Sequence, residues 1–354
     1  MTPPTAPLLP RRTRAVRLSG ERITVRVDLR ATAVGLGLLV GVLVVGAIAT
    51  TTGDFRIPLA DVVKSVFGAG DPATDFIVRT LRLPRFTVAV LAGAAMAVSG
   101  AIFQHLSGNP LGSPDVIGFQ TGAATGALTV LLLADQNGPV AQGAVAGCLI
   151  TAGLVYLLAF RGGVQGFRLI LIGIGANAML VAANNYLITR AALQDAVGAQ
   201  VWLIGSLNAR GWDQAYPVAA VLILTLPIAV AQSRKVVILQ MGDDTAKALG
   251  VPVERTRGLL IAVGVLLIGV AVAASGPVTF VALAAPQLAK RLTRSASPGL
   301  VPAALMGALL LSGSDLIAQR AFPQPLPVGI LTAALGGGYL AYLLAREWRG
   351  RSRV

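Results

Sequence analysis

The sequence predicts an all-α polytopic membrane protein of about ten transmembrane helices, and three observations carry that reading. Of 354 residues, 55% are hydrophobic and only 12% charged, where a soluble domain carries roughly 25% charged residues. The apolar residues fall in continuous runs without period-two alternation, so helices are expected rather than barrel strands. Glycine is abundant at 41 residues and aromatics sparse at 5%, a composition suited to helices packed backbone to backbone.

Residues 1–30 read as a basic arm carrying Arg11, Arg12, Arg14, Arg17, Arg22, Arg26 and Arg30, its proline-rich start expected to be disordered. Ala47-Ile48-Ala49 has the small-x-small form of a signal-cleavage site. The long polar stretch ahead of it and the spanning length of the run argue for a retained first helix. Apolar segments follow near 31–51, 86–106, 116–134, 139–160, 169–189, 216–232, 258–275, 277–289, 299–318 and 326–345. The 277–289 segment is short and holds Pro286, so it spans only by continuing through Lys290-Arg291-Leu292. A transmembrane domain over 31–346 and a tail over 347–354 result. Gly118, Gly122 and Gly126, like Gly143 and Gly147, and Gly37 and Gly41, recur every four positions, the spacing of close helix contact.

Two connections are too long for turns. Residues 52–85 place Leu59, Val62, Val63, Val66 and Phe67 at helical spacing, which predicts a helix on the membrane surface. Residues 195–213 hold Val201-Trp202-Leu203-Ile204, a short interfacial helix with Trp202 and Trp212 at headgroup depth.

Orientation follows from the basic residues. With the N-terminus cytoplasmic, only Arg56, Lys64, Arg79, Arg82, Arg85, Arg190, Arg210 and Arg320 lie outside, eight of the 29 Lys and Arg. The positive-inside bias therefore puts both termini in the cytoplasm. The net charge of +14 is a topology signal and not a nucleic-acid surface.

A cytoplasmic loop over 233–257 contains the polar passage Gly242-Asp-Asp-Thr-Ala-Lys-Ala-Leu-Gly-Val-Pro-Val-Glu-Arg-Thr-Arg257. Gly242 and Asp243 cap a short helix, with Asp243 and Asp244 at its positive end. Gly250 suits the position that stops it, and Pro252 the first turn of a second short helix. Leu249, Val251 and Val253 supply a small apolar knob. A capped pair of short helices with such a knob reads as a plug for a soluble partner, against the plainer alternative of a solvated loop.

The membrane interior lacks the chemistry of a self-powered pump. Asp315, toward the outer end of the ninth segment, is the single acidic residue within the segments, and the one histidine, His105, lies at a segment's inner end. Ion-coupled carriers generally need intramembrane ionisable groups. No Walker motif, metal-ligand spacing or Ser/His pair is present, so neither a catalytic nor a metal site is expected. Cys148, the only cysteine, lies in an apolar run and forms no intrachain disulfide.

Several motifs resemble, in order, those of the permease subunits of binding-protein-dependent ABC importers for iron–siderophore and cobalamin. They are Arg82-Leu-Pro-Arg85, Ala92–Ala101, Asn109-Pro-Leu-Gly-Ser-Pro-Asp-Val-Ile-Gly118, Gly242–Arg257, Gly276–Pro286 and Leu326-Pro-Val-Gly-Ile330. Within the family, Asn109–Gly118, Leu169–Gly175 and Met241–Thr245 look most like the ferric enterobactin branch, second-subunit type. The resemblance implies ten helices in inverted halves (segments two to five and seven to ten) and a pathway along a subunit interface. It implies coupling to an ATPase through Gly242, Asp243, Asp244, Ala248, Leu249, Gly250 and Val251. It further implies docking of an extracytoplasmic siderophore-binding protein on Arg82, Arg85 and Arg320. A second, different permease and two copies of a cytoplasmic ATPase, which alone would hold ATP and Mg, complete the implied assembly in the cytoplasmic membrane. A ferric siderophore of the catecholate kind is the implied cargo; a cobalamin or haem permease and, in another class, an ion-coupled carrier are the alternatives. One departure is Gln287, where the family usually has histidine; it retains a hydrogen-bond donor.

Spacing alone leaves several of these residues open. Arg82 and Arg85, flanking Pro84, suit snorkelling anchors as well as docking. Asn177 and Asn184, seven apart on one face, suit either interhelical hydrogen bonds or a polar pathway wall. Gly336-Gly337-Gly338 is a packing notch or a gate hinge, with Gly337 the pathway candidate. Asn109 is explained by turn chemistry; only the resemblance makes it a pathway residue.

Overall fold

The computed structural model describes residues 13–18, 23–133, 138–160, 166–295 and 299–351. Each of the ten expected segments coincides with one helix. These are α1 (Leu29–Thr51), α4 (Leu83–Ser107), α5 (Phe119–Leu133), α6 (Val140–Ala159), α7 (Gly166–Arg190), α9 (Trp212–Ala231), α12 (Val253–Ser275), α13 (Val281–Thr293), α14 (Leu300–Arg320) and α15 (Val328–Arg351). Among the described residues, seven helices are long and apolar enough to cross a bilayer, the second of them a helical stretch from Pro72 to Ser107. α5 and α13, the third and eighth segments, are the short pair, as inverted halves require.

The connections hold shorter elements: α2 (Leu59–Val66), α3 (Pro72–Phe76), α8 (Leu193–Ile204), α10 (Ser233–Leu239) and α11 (Asp243–Ala248). α2 is the expected surface helix, with Val62 buried and Leu59, Val63 and Val66 exposed. α8 is the expected interfacial one. Trp212 opens α9 and donates its indole N–H to Arg79 O at 2.9 Å. Of the basic arm, Thr13–Leu18 (β1) and Ile23–Asp28 (β2) pair antiparallel, so this part is a hairpin. The proline-rich start, Arg161 and the last three residues of the tail lie outside the described residues. Asp28 caps α1 by accepting from the Arg30 and Ala31 amides.

α4 and α12 form the buried axis of the bundle, while α1 and α7 leave most of their surfaces uncovered. The axis is close-packed because small residues face each other. Ser99 Oγ donates to Gly264 O at 2.7 Å, and the Phe103 ring lies where a Gly264 side chain would stand. At the α4–α14 crossing, Gly93 and Gly307 each abut the other's carbonyl oxygen. At the α5–α6 crossing, Gly126 meets Gly143 and Gly147, as the four-residue spacing predicted. The Gly37–Gly41 pair differs: Gly37 faces open space, and Gly41 meets only the Leu309 side chain.

Gly307→Val therefore has nowhere to place its side chain. Overpacking of this kind costs about 1–3 kcal/mol, and here the obstacle is backbone. A clear drop in the melting midpoint of the detergent-solubilised chain is expected, with Gly37→Ala unchanged or slightly stabilised.

Candidate functional site

The chain presents two polar ends. At one, α10 and α11 bridge α9 to α12. Gly242, at φ 102°, precedes α11, and Asp243 and Asp244 occupy its first turn as expected. α11 stops on Gly250 at φ 76°, with Val251 N–H donating to Ala246 O and Gly250 N–H to Lys247 O, both at 2.9 Å. These two bonds form a Schellman motif, which is why a glycine stands there.

Two expectations are corrected. Pro252 does not open a second short helix; it caps α12, a spanning helix that starts at Val253 within this loop. The second short helix, α10, lies before α11 instead. The apolar knob also divides: Val251 and Val253 are buried with Ala246 against Ile238 and Leu239, and hold the loop together. Leu249 alone of the three points outward, 61% exposed, next to exposed Ala248.

The loop is tied to the bundle by charge. Arg257, one turn into α12, donates to both carboxylate oxygens of Asp243, at 2.8 and 2.6 Å, and lies 4.0 Å from Glu254. The hydrogen bond from Arg257 holds the Asp243 carboxyl below its usual range, against a smaller opposing effect of burial. A depressed carboxylate pKa stabilises the fold above the unfolded value near 3.9, and that stabilisation is lost only as pH falls through the folded value. The tie is thus intact at neutral pH. Behind it lies a cavity of about 540 Å³ lined by His105, Phe167, Asp243, Arg257, Gln287 and Lys290 among others. Gln287 donates to Gln104 Oε1 at 2.6 Å, and Gln104 donates to Leu283 O at 3.0 Å, so the residue at the departure from the family pattern links α13 to α4.

At the opposite end, Arg82, Arg85 and Arg320 line one basin of about 510 Å³ with Asp54, Asp315 and Gln319. Sequence reasoning did not foresee how far they are engaged within the chain. Arg82 donates to Thr50 O and Phe55 O at 2.7 and 2.6 Å, and Arg320 to Thr52 O at 2.8 Å. Both thereby satisfy carbonyls at and just beyond the C-terminal end of α1. Arg85 donates twice to Asp315, at 2.9 and 2.8 Å, and Gln319 Nε2 adds a third bond at 2.6 Å.

The pathway candidates separate. Asn177 and Asn184 line one cavity on α7, whereas Asn109 is exposed in the turn after α4, its Oδ1 accepting from Leu111 N–H at 2.9 Å. Gly337 is exposed with no neighbour where a side chain would stand. Gly336 is the glycine in use, since the Phe280 ring occupies its side-chain space. Phe280 itself, at φ 69° in the left-handed region, was not singled out by the sequence.

A helical bundle of ten apolar segments, with an exposed coupling-type loop at one end and a basic basin at the other, is the architecture of a multi-pass membrane permease. The chain belongs to the FecCD transport family, whose model matches residues 39–346. It is 47% identical to the ferric enterobactin transport system permease protein FepG of Escherichia coli K12, over 88% of this chain and 96% of that protein. It is 36% identical to the achromobactin transport system permease protein CbrC of Dickeya dadantii, over 90% and 94% of the two chains. Among solved structures, it matches one described as a metal-chelate type ABC transporter in an inward-facing conformation. That match has a TM-score of 0.80 and 25% identity, over 89% of this chain and 99% of the other. The chain is thus a membrane permease component of a transport family.

Proposed function

We propose that the chain is a permease subunit of an ATP-driven, binding-protein-dependent importer that carries a ferric siderophore, of the catecholate, enterobactin-like kind, across the cytoplasmic membrane. The observation that carries this reading is the coupling loop: it projects Leu249 to the outside while Asp243–Arg257 fastens it to a spanning helix. A loop so built serves to receive force from a soluble neighbour. That neighbour is a separate ATPase, present in two copies and holding the ATP and Mg. The loop and both termini face the cytoplasm, in keeping with the positive-inside bias. Arg82 and Arg320, with Arg85 behind them, face the siderophore-binding protein, whose carboxylates they orient on encounter. A second, different permease subunit covers the open face of α7, and Asn177 and Asn184 line the path between the two.

Uptake by the complete assembly in proteoliposomes is expected to stop with vanadate and to ignore sodium and proton ionophores. Accumulation of ferric siderophore by this chain alone, driven by an ion gradient, would overturn the reading.

A further inference from the structure

The bundle is interrupted by two non-helical passages that enter from opposite ends and meet. α5 and α13, with 15 and 13 residues, reach about 22 and 20 Å, short of the ~30 Å hydrocarbon thickness. The passage 108–118 leads from the end of α4 into α5, and 276–280 leads from the end of α12 into α13. α4 and α12 run in opposite directions, since His105 near the end of α4 shares a cavity wall with Leu260 near the start of α12. The passages nevertheless come together: Asp115 of the first and Pro277 and Thr279 of the second line one cavity. Gly118, at φ 88°, seats the first passage against the Asn177 backbone of α7. Two short helices thus begin where the passages meet, their positive ends toward one place. Broken helices meeting in this way are how a membrane interior presents polar groups to a transported solute.

At that place is a cavity of about 370 Å³ whose wall includes Asp115, Gln120, Asn177, Val181, Asn184 and Thr279. Gln120 and Asn184 are 4% and 5% exposed, and neither Gln120 Oε1 nor Asn184 Oδ1 has a hydrogen-bond partner. Asp115 Oδ1 and Asn177 Oδ1 are likewise buried and unpartnered. Leaving one buried acceptor unmade is costly, and native structures rarely gather several. Asparagines serving as glue between helices would have paired. Four acceptors around one cavity call for donors that arrive from elsewhere.

We propose that this chamber is a mid-depth station for the transported chelate. Asp115, Gln120, Asn177 and Asn184 accept hydrogen bonds from amide N–H or hydroxyl groups of its organic scaffold, and the N-terminal ends of α5 and α13 face its anionic groups. The inference rests on the importer reading and adds to it a contact site within this chain. The contacts are few, so the station orients a cargo without retaining it.

The test uses the complete transporter in proteoliposomes with Val181→Cys as reporter; Val181 is 44% exposed on the cavity wall, and the native Cys148 is buried. A panel of ferric tris-catecholate, hydroxamate and citrate chelates first establishes which cargo the unaltered transporter carries. An error in the cargo assignment appears there, and the transported chelate becomes the probe. During ATP turnover with loaded binding protein, labelling by a small charged thiol reagent is expected to slow about fivefold, the effect of roughly one net hydrogen bond. Gln120→Leu with Asn184→Leu should abolish that protection and lower uptake about tenfold, while binding-protein-stimulated ATPase activity persists. Gln120→Met keeps the side-chain length, removes only the hydrogen-bonding groups, and carries the same test should the double variant not assemble. Labelling indifferent to cargo, protection that survives these substitutions, or equal protection by sodium or potassium ions alone would overturn the proposal.

Discussion

Truncating Asp315 to alanine is expected to lower stability by about 3–5 kcal/mol, the cost of stranding a buried charge whose partner is gone. The Asp315 side chain is 6% exposed and that of Arg85 20%, and the carboxylate accepts from Arg85 twice and from Gln319 once. Alanine would leave the guanidinium and the amide without their acceptor in the wall of the basin, between α4 and α14, the same pair of helices that Gly93 and Gly307 bring together. The measurement is the melting midpoint of the solubilised chain together with its yield in the membrane. Replacing both partners, Arg85→Leu with Asp315→Leu, should recover most of the loss, because an apolar pair leaves no unpaired charge. A double variant as unstable as Asp315→Ala would show that the pair is not what holds these helices. The result also bears on docking: while Asp315 holds Arg85 by both carboxylate contacts, Arg82 and Arg320 are the cations of the basin freer to meet a partner. Among the described residues, their guanidinium groups bond backbone carbonyls.

What was legible in the sequence followed from local chemistry. Continuous apolar runs located all ten segments. Gly250 was readable as a helix stop because few other residues tolerate its backbone conformation. Pro252 misled because a proline at a helix start says nothing of the helix's length; twenty-three residues follow it as α12. The Arg85–Asp315 pair joins residues 230 apart, and no spacing announces it. Gly93 and Gly307 lack a four-residue echo, so their contact was invisible where that of Gly126 with Gly147 was not. The most consequential omission was Asp115. Its motif reads as a turn, and only the re-entry of two passages from opposite ends carries it to the cavity wall it shares with Thr279. The Asn177–Asn184 periodicity left a pathway wall open beside the default of interhelical glue. The unpartnered oxygens favour the pathway wall.

Leu249→Asp is expected to abolish coupled transport while leaving the permease folded. The side chain projects from the loop and makes no contribution to the small cluster of Ala246, Val251 and Val253 beneath it. An exposed apolar side chain at the tip of a rigid, capped turn has the character of an interface anchor. Losing such an anchor typically costs at least about 2 kcal/mol, a drop of roughly 30-fold in affinity for the ATPase; an aspartate buried in its socket adds a desolvation penalty. Uptake and co-purification of the ATPase should therefore fall together. Asp243→Ala is expected to act differently, since it cuts the tie to Arg257 on α12 and spares Leu249. The ATPase should still bind and hydrolyse ATP, but transport per ATP should fall, because movement of α11 no longer pulls on the spanning helix. Equal loss of ATPase binding in both variants would place Asp243 in the contact itself. Normal transport in Leu249→Asp would remove the loop from the coupling path altogether. The two substitutions lie six residues apart on one short helix and its cap, so their contrast separates gripping the motor from transmitting its work.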